Sequence, residues 1–231
     1  MTKVSIPNQA PMPELQPQPT QLFLQYVQHN LRKPHTMAEL ANFSNLSVAN
    51  LKQQGAISLQ TLETKIWQQA FAETTALALT EAEQMNYTAR ELALAFLFHL
   101  TGSILPNLQP YSTIAFNSAV LPAVFAPTWL KGARAEFNTL VGIALAAALE
   151  NGEVQARTKL LQNQYTKFLW GLVPVVLQFW ATDKSTDHSA TDALIEKSVN
   201  WAFDLLGRNT FDTTFDLLHF SWTSLTKKRK F

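Results

Sequence analysis

The chain has 231 residues, 47% of them hydrophobic and 15% charged, with a formal net charge of +1. That length holds one large domain or a small one plus a medium one, and the apolar share is ample for a core. Near-neutral charge advertises no nucleic-acid partner, and the absence of Cys excludes disulfides, a thiolate zinc site and a Cys nucleophile, so a reducing interior is expected.

Only seven Gly occur, while Ala, Leu, Gln and Phe are frequent, which favours helices over a β-sandwich or a Gly-rich nucleotide fold. The N-terminus has no apolar stretch of the signal-peptide kind. The most apolar runs, 140–149 and 168–181, fall short of the ~18 apolar residues of a membrane span, the second also carrying Pro174 and Gln178. A cytoplasmic chain with no membrane partner is expected.

Residues 1–19 hold five of the eleven prolines among Gln and Asn, and this predicts an extended or disordered arm. Leu22, Phe23, Tyr26, Val27, Asn30 and Leu31 follow helical spacing, and Pro34 ends that helix. Thr36-Met-Ala-Glu39 reads as a capping box opening a short helix with Met37, Leu40 and Ala41 inward, broken at Ser44-Asn45. Ser47 caps a second short helix, Val48–Gln54, stopped by Gly55.

Ser58 opens a long helix through Leu59, Leu62, Ile66 and Ala70 to about Ala82. Thr88-Ala-Arg-Glu91 is another capping box, leading a helix to Ile104. Pro106, Pro110, Pro122 and Pro127 predict short, broken helix over 105–127. Helices follow from Thr128 to Ala148, from Ala156 to Ala181 with a kink near Pro174, over Thr191–Arg208 and over Asp212–Thr226. The basic run Lys227 to Lys230 reads as a solvated tail. The pattern predicts an all-α protein: a three-helix helix-turn-helix head over 20–57 and a larger helical bundle over 58–231, after the arm 1–19.

The segment Thr36-Met-Ala-Glu-Leu-Ala-Asn-Phe-Ser-Asn-Leu-Ser-Val-Ala-Asn-Leu51 resembles the helix-turn-helix of the TetR family of transcriptional regulators. Leu40-Ala41 stands for the family's Ile-Ala pair, Ser44-Asn45 for its turn and Ser47 for the start of its recognition helix. Thr191 to Arg208, Glu150-Asn-Gly-Glu153 and Lys65-Ile-Trp67 are similar to a TetR-like subgroup found in Bacteroidetes. The likeness covers roughly residues 20–225. It implies a homodimeric repressor whose head binds operator DNA and whose body senses a small hydrophobic ligand. Thr36 and Lys52 would then meet phosphates, with Gln54 also able to bind them, and Ser47, Val48 and Asn50 would face base edges.

The family's recognition helix usually ends Leu-Tyr-x-His-Phe, whereas here Leu51, Lys52, Gln53, Gln54 and Gly55 occupy those places. The Tyr and His phosphate anchors are missing. Arg32, Lys33 and Lys52 against Glu39 leave a head charge of only +2, so weak, dimer-dependent DNA binding is expected. The alternative is a TetR-fold protein that carries a lipid or other hydrophobic molecule and has lost DNA binding.

The His residues at 29, 35, 99, 188 and 219 never fall at i, i+4, so no metal site or cofactor is expected. No nucleotide, hydrolase or metalloprotease motif occurs, and Glu91, Glu136 and Glu153 read as solvated or capping groups, so no catalytic residues are expected. The aromatic-rich body suggests an apolar ligand pocket of Phe96, Phe137, Trp129 and Trp170, with His99 as a polar anchor and 105–127 as its entrance. Two helices carry more apolar surface than one core face needs. Phe168, Leu172, Val176 and Phe179 with Ile195, Val199 and Phe203 are therefore expected at a two-fold dimer interface.

Overall fold

The computed structural model describes residues 18–117, 127–150, 152 and 159–207, and every regular element among them is helical. The expected arm (apart from Gln18 and Pro19), the closing helix 212–226 and the basic run 227–230 lie outside the described residues. Three short helices come first: α1 (Pro19–Asn30), α2 (Met37–Phe43) and α3 (Val48–Gln53). The long helix α4 (Leu59–Met85) follows, then α5 (Ala89–His99), which runs through a π-helical turn (Leu100–Ile104) into α6 (Leu105–Asn107). Next is α7 (Tyr111–Asn117), and a 3-10 turn (Thr128–Leu130) leads into α8 (Lys131–Glu150). Helix α9 (Lys159–Thr182), a 3-10 turn (Thr186–His188) and α10 (Ser189–Gly207) close the described chain.

Local chemistry sets these boundaries. Thr36, Ser47, Ser58 and Thr88 each accept a hydrogen bond from the backbone N–H three residues on, satisfying a donor that the first helical turn leaves free. At α5 the Thr88–Glu91 box is complete, since Glu91 also accepts from the Thr88 N–H at 2.8 Å. At α2 only half of the expected box forms: Glu39 reaches past Thr36 to the His35 N–H at 2.7 Å. Helix α2 stops at Asn45 (φ 53°), where Leu46 N–H donates to Ala41 O, and α3 stops at Gly55 (φ 85°), where Ala56 N–H donates to Leu51 O, each at 2.9 Å. A left-handed residue followed by this six-to-one bond is the Schellman stop.

Helix α4 is the spine. Its 27 residues span about 40 Å, and Leu62, Ile66, Trp67, Ala70, Phe71, Thr74 and Ala78 make one buried stripe. Helix α8 crosses it closely at Gly132, where a Cβ would lie 2.9 Å from Gln68 Cβ and 3.1 Å from Thr64 O. Aromatic rings fill the space this leaves. Trp67 packs on Phe116 and Trp129 at centroid distances of 5.0 and 5.5 Å, and Phe96 and Trp170 flank Phe137 at 5.6 and 5.5 Å. The buried residues from Leu22 to Leu206 form a single cluster, so α1–α3 share their core with the remaining helices.

Candidate nucleic-acid interface and apolar cavity

The α2–α3 unit is held by its own caps and by Leu40, Ala41 and Leu51, all buried. Helical spacing then decides what α3 shows to solvent. Val48 and Leu51 are three apart and share the inward face, so Val48 packs on the core instead of facing outward. Asn50, Lys52 and Gln54 are exposed, as are Ala49 and Gln53, two positions not expected at the interface. The i, i+3 relation of Val48 to Leu51 was the signal that could have found them. Thr36 and Ser47 are exposed too, with their hydroxyls accepting from the Glu39 and Asn50 N–H groups at 3.1 Å.

Two of the three cations counted for this region are already paired. Arg32 bridges to Glu39, which also accepts from the Tyr26 hydroxyl and the His35 N–H. These donors, Arg32 first, pull the Glu39 carboxyl down to about 2. Lys33 pairs with Glu63 on α4. Lys65, also on α4, donates from Nζ to Gly55 O at 3.2 Å and so steadies the end of α3. Lys52 is exposed on α3.

Between α5, α8, α9 and α10 lies a cavity of about 30 Å³ lined only by apolar side chains, among them Leu97, Phe137, Leu140, Leu169, Val199 and Phe203. Of the five residues expected to line an apolar pocket, only Phe137 lines this cavity. Phe96 and Trp170 are buried in the aromatic packing around it, and Trp129 packs against Trp67 and the edge of Phe116. His99 faces a separate open groove of about 430 Å³ between α4 and α5, its Nε2 2.6 Å from Glu81 Oε2. The His99 and Tyr87 hydrogen bonds lower the Glu81 carboxyl below its usual value. Small-molecule sites commonly run to ~300–1,000 Å³, so a ligand of that kind would require these helices to spread.

The expected dimer residues divide. Val176, Ile195, Val199 and Phe203 are buried within the chain and are not free for a partner in this arrangement. Their faces close α9 and α10 onto the core. Phe179 is exposed, and Phe168 and Leu172 are half-buried. Val175 and Trp201, not foreseen, are also exposed, and the Phe168 and Trp201 rings meet at 5.6 Å across the two helices.

Among the described residues no group of three or more His, Asp or Glu side chains could hold a metal ion, and no single helix is long and apolar enough to cross a membrane. No curated protein matches the sequence. Among solved structures, a protein with unknown function from Rhodococcus sp. RHA1 is 16% identical and superposes with a TM-score of 0.49, covering 85% of this chain and 100% of that one. Residues 94–220 match the model of the tetracyclin repressor-like C-terminal domain, which is more than half of the chain. An all-helical chain with a capped α2–turn–α3 unit in front of that domain belongs to the tetracycline repressor-like family of regulators.

Proposed function

We propose that this protein is a cytoplasmic transcriptional repressor with a head (20–57) and a body (58–231), binding operator DNA as a homodimer and responding to a small apolar ligand. The observation that carries this reading is the intact helix-turn-helix frame. Both N-caps and both left-handed stops are made, and a six-residue helix presents Asn50, Lys52 and Gln53 to solvent. In a dimer, two such helices one groove-turn apart, ~34–36 Å, would read a pseudo-palindromic site. Ligand entering between α5, α8, α9 and α10 would favour a body geometry that takes the heads off that spacing.

An electrophoretic shift at low salt tests this, comparing a duplex from upstream of the protein's own gene with an unrelated duplex of equal length. The expected result is a retarded band of dimer stoichiometry on the first, weakening as salt rises. A second reading, a hydrophobic-ligand protein without DNA binding, is favoured by the pairing of Arg32 and Lys33 with carboxylates. It requires no shift on either duplex while an apolar fluorescent probe such as anilinonaphthalene sulfonate still binds.

A further inference from the structure

Lys33 lies in the loop between α1 and α2, yet its ammonium is held by three elements distant in sequence. Nζ is 2.5 Å from Glu63 Oε1 on α4, 5.5 Å from the ring centre of Tyr111 at the start of α7, and 5.3 Å from that of Trp129 in the turn before α8. Two aromatic faces and one carboxylate around a single cation make a cage. The cage is itself braced: the Tyr111 hydroxyl donates to Glu63 Oε1 at 3.2 Å and accepts from Trp67 Nε1 at 2.9 Å. The Glu63 side chain is only 12% exposed, so its carboxylate has given up much of its water and depends on Lys33 for compensation.

The aromatic contact between α1 and the rest of the chain nearest this cage is the edge of Phe23 on Tyr111, at 5.4 Å. Such apolar contact tolerates sliding and tilting. The caged ammonium is directional, and it is either made or broken. We propose that Lys33 is an intramolecular clasp that fixes the angle of α1–α3 against α4, α7 and α8, and that releasing it frees that angle. The clasp goes beyond the proposed function, since it needs neither DNA nor a ligand.

The test reads a distance within one chain, and the natural absence of Cys makes labelling clean. Spin labels are placed at Gln53→Cys on α3 and Asn138→Cys on α8, both exposed positions, and labelled protein is diluted into unlabelled excess. Double electron–electron resonance should give one narrow distance with Lys33 intact. Lys33→Met and, separately, Glu63→Gln should each lose the single narrow peak while circular dichroism stays helical. The double variant should be no broader than either single one, because both break the same interaction. A narrow distance retained in whichever single variant folds, or broadening that adds up in the double, would overturn the clasp.

Discussion

Glu39 shows how one side chain can be half legible. Its place three residues after Thr36 marks it as a capping residue, and Thr36 does cap α2. The Tyr26 and Arg32 contacts, from 13 and 7 residues away, carry no sequence signal because they depend on how α1 folds back on α2. A carboxyl whose value drops from 4.5 to about 2 on folding stabilises the fold above its unfolded value, and that contribution is lost as pH falls between those two values. Glu39→Gln should therefore show a shallower fall of melting temperature with pH across that window than the parent chain. Parallel curves for the two proteins would show that Glu39 is not held as described.

At the scale of helices, caps and periodicity located nearly every described element, with shifts of a few residues at the ends. Helix α4 runs three residues past the expected Ala82, and α10 begins two residues before the expected Thr191. Pairwise fit between helices was not legible, because it depends on crossing points rather than on stripes. Gly132 is such a point. In an ordinary helix Gly→Ala stabilises by about 0.5–1 kcal/mol. Here the added carbon would meet a Cβ and a backbone oxygen, atoms that cannot swing aside. Gly132→Ala should therefore destabilise by about 1–3 kcal/mol in denaturant unfolding, and any gain in stability would contradict the close α4–α8 crossing.

The same limit bears on the residues expected at a dimer interface, four of which are buried. Apolar residues on several faces of α9 and α10 were legible, but which of them the chain itself would bury was not. Among the described residues, Val175, Phe179 and Trp201 are the large apolar side chains left exposed on these helices. If a partner covers them, Phe179→Glu with Trp201→Glu should convert a dimer to a monomer in sedimentation while leaving helicity unchanged. A dimer of undiminished affinity would move the interface elsewhere.

Across the whole molecule, the shared core ties the N-terminal helices to the rest, as the paths Phe23–Tyr111–Trp67 and Trp67–Phe116 illustrate. Phe96, fully buried between Phe71 and Phe137, sits at the centre of the packing beside the cavity. Phe96→Ala should cost about 3–5 kcal/mol and enlarge the space that an apolar guest could occupy. The family was legible from the chain because the capped helix-turn-helix and the closing segment leave local signatures. The size of the cavity was not, since it is what packing among four helices leaves over.

The central claim is that α3 meets DNA through its exposed face, with Lys52 on the phosphate backbone. Fluorescence anisotropy of the full chain with a labelled duplex from upstream of its gene, titrated between about 50 and 200 mM salt, tests it most directly. Binding should be measurable at the low end, and the log–log salt slope should flatten by about 2 in Lys52→Ala, because each half-site then neutralises one phosphate fewer. No binding by the parent chain at the lowest salt, or an unchanged slope in the variant, would contradict it.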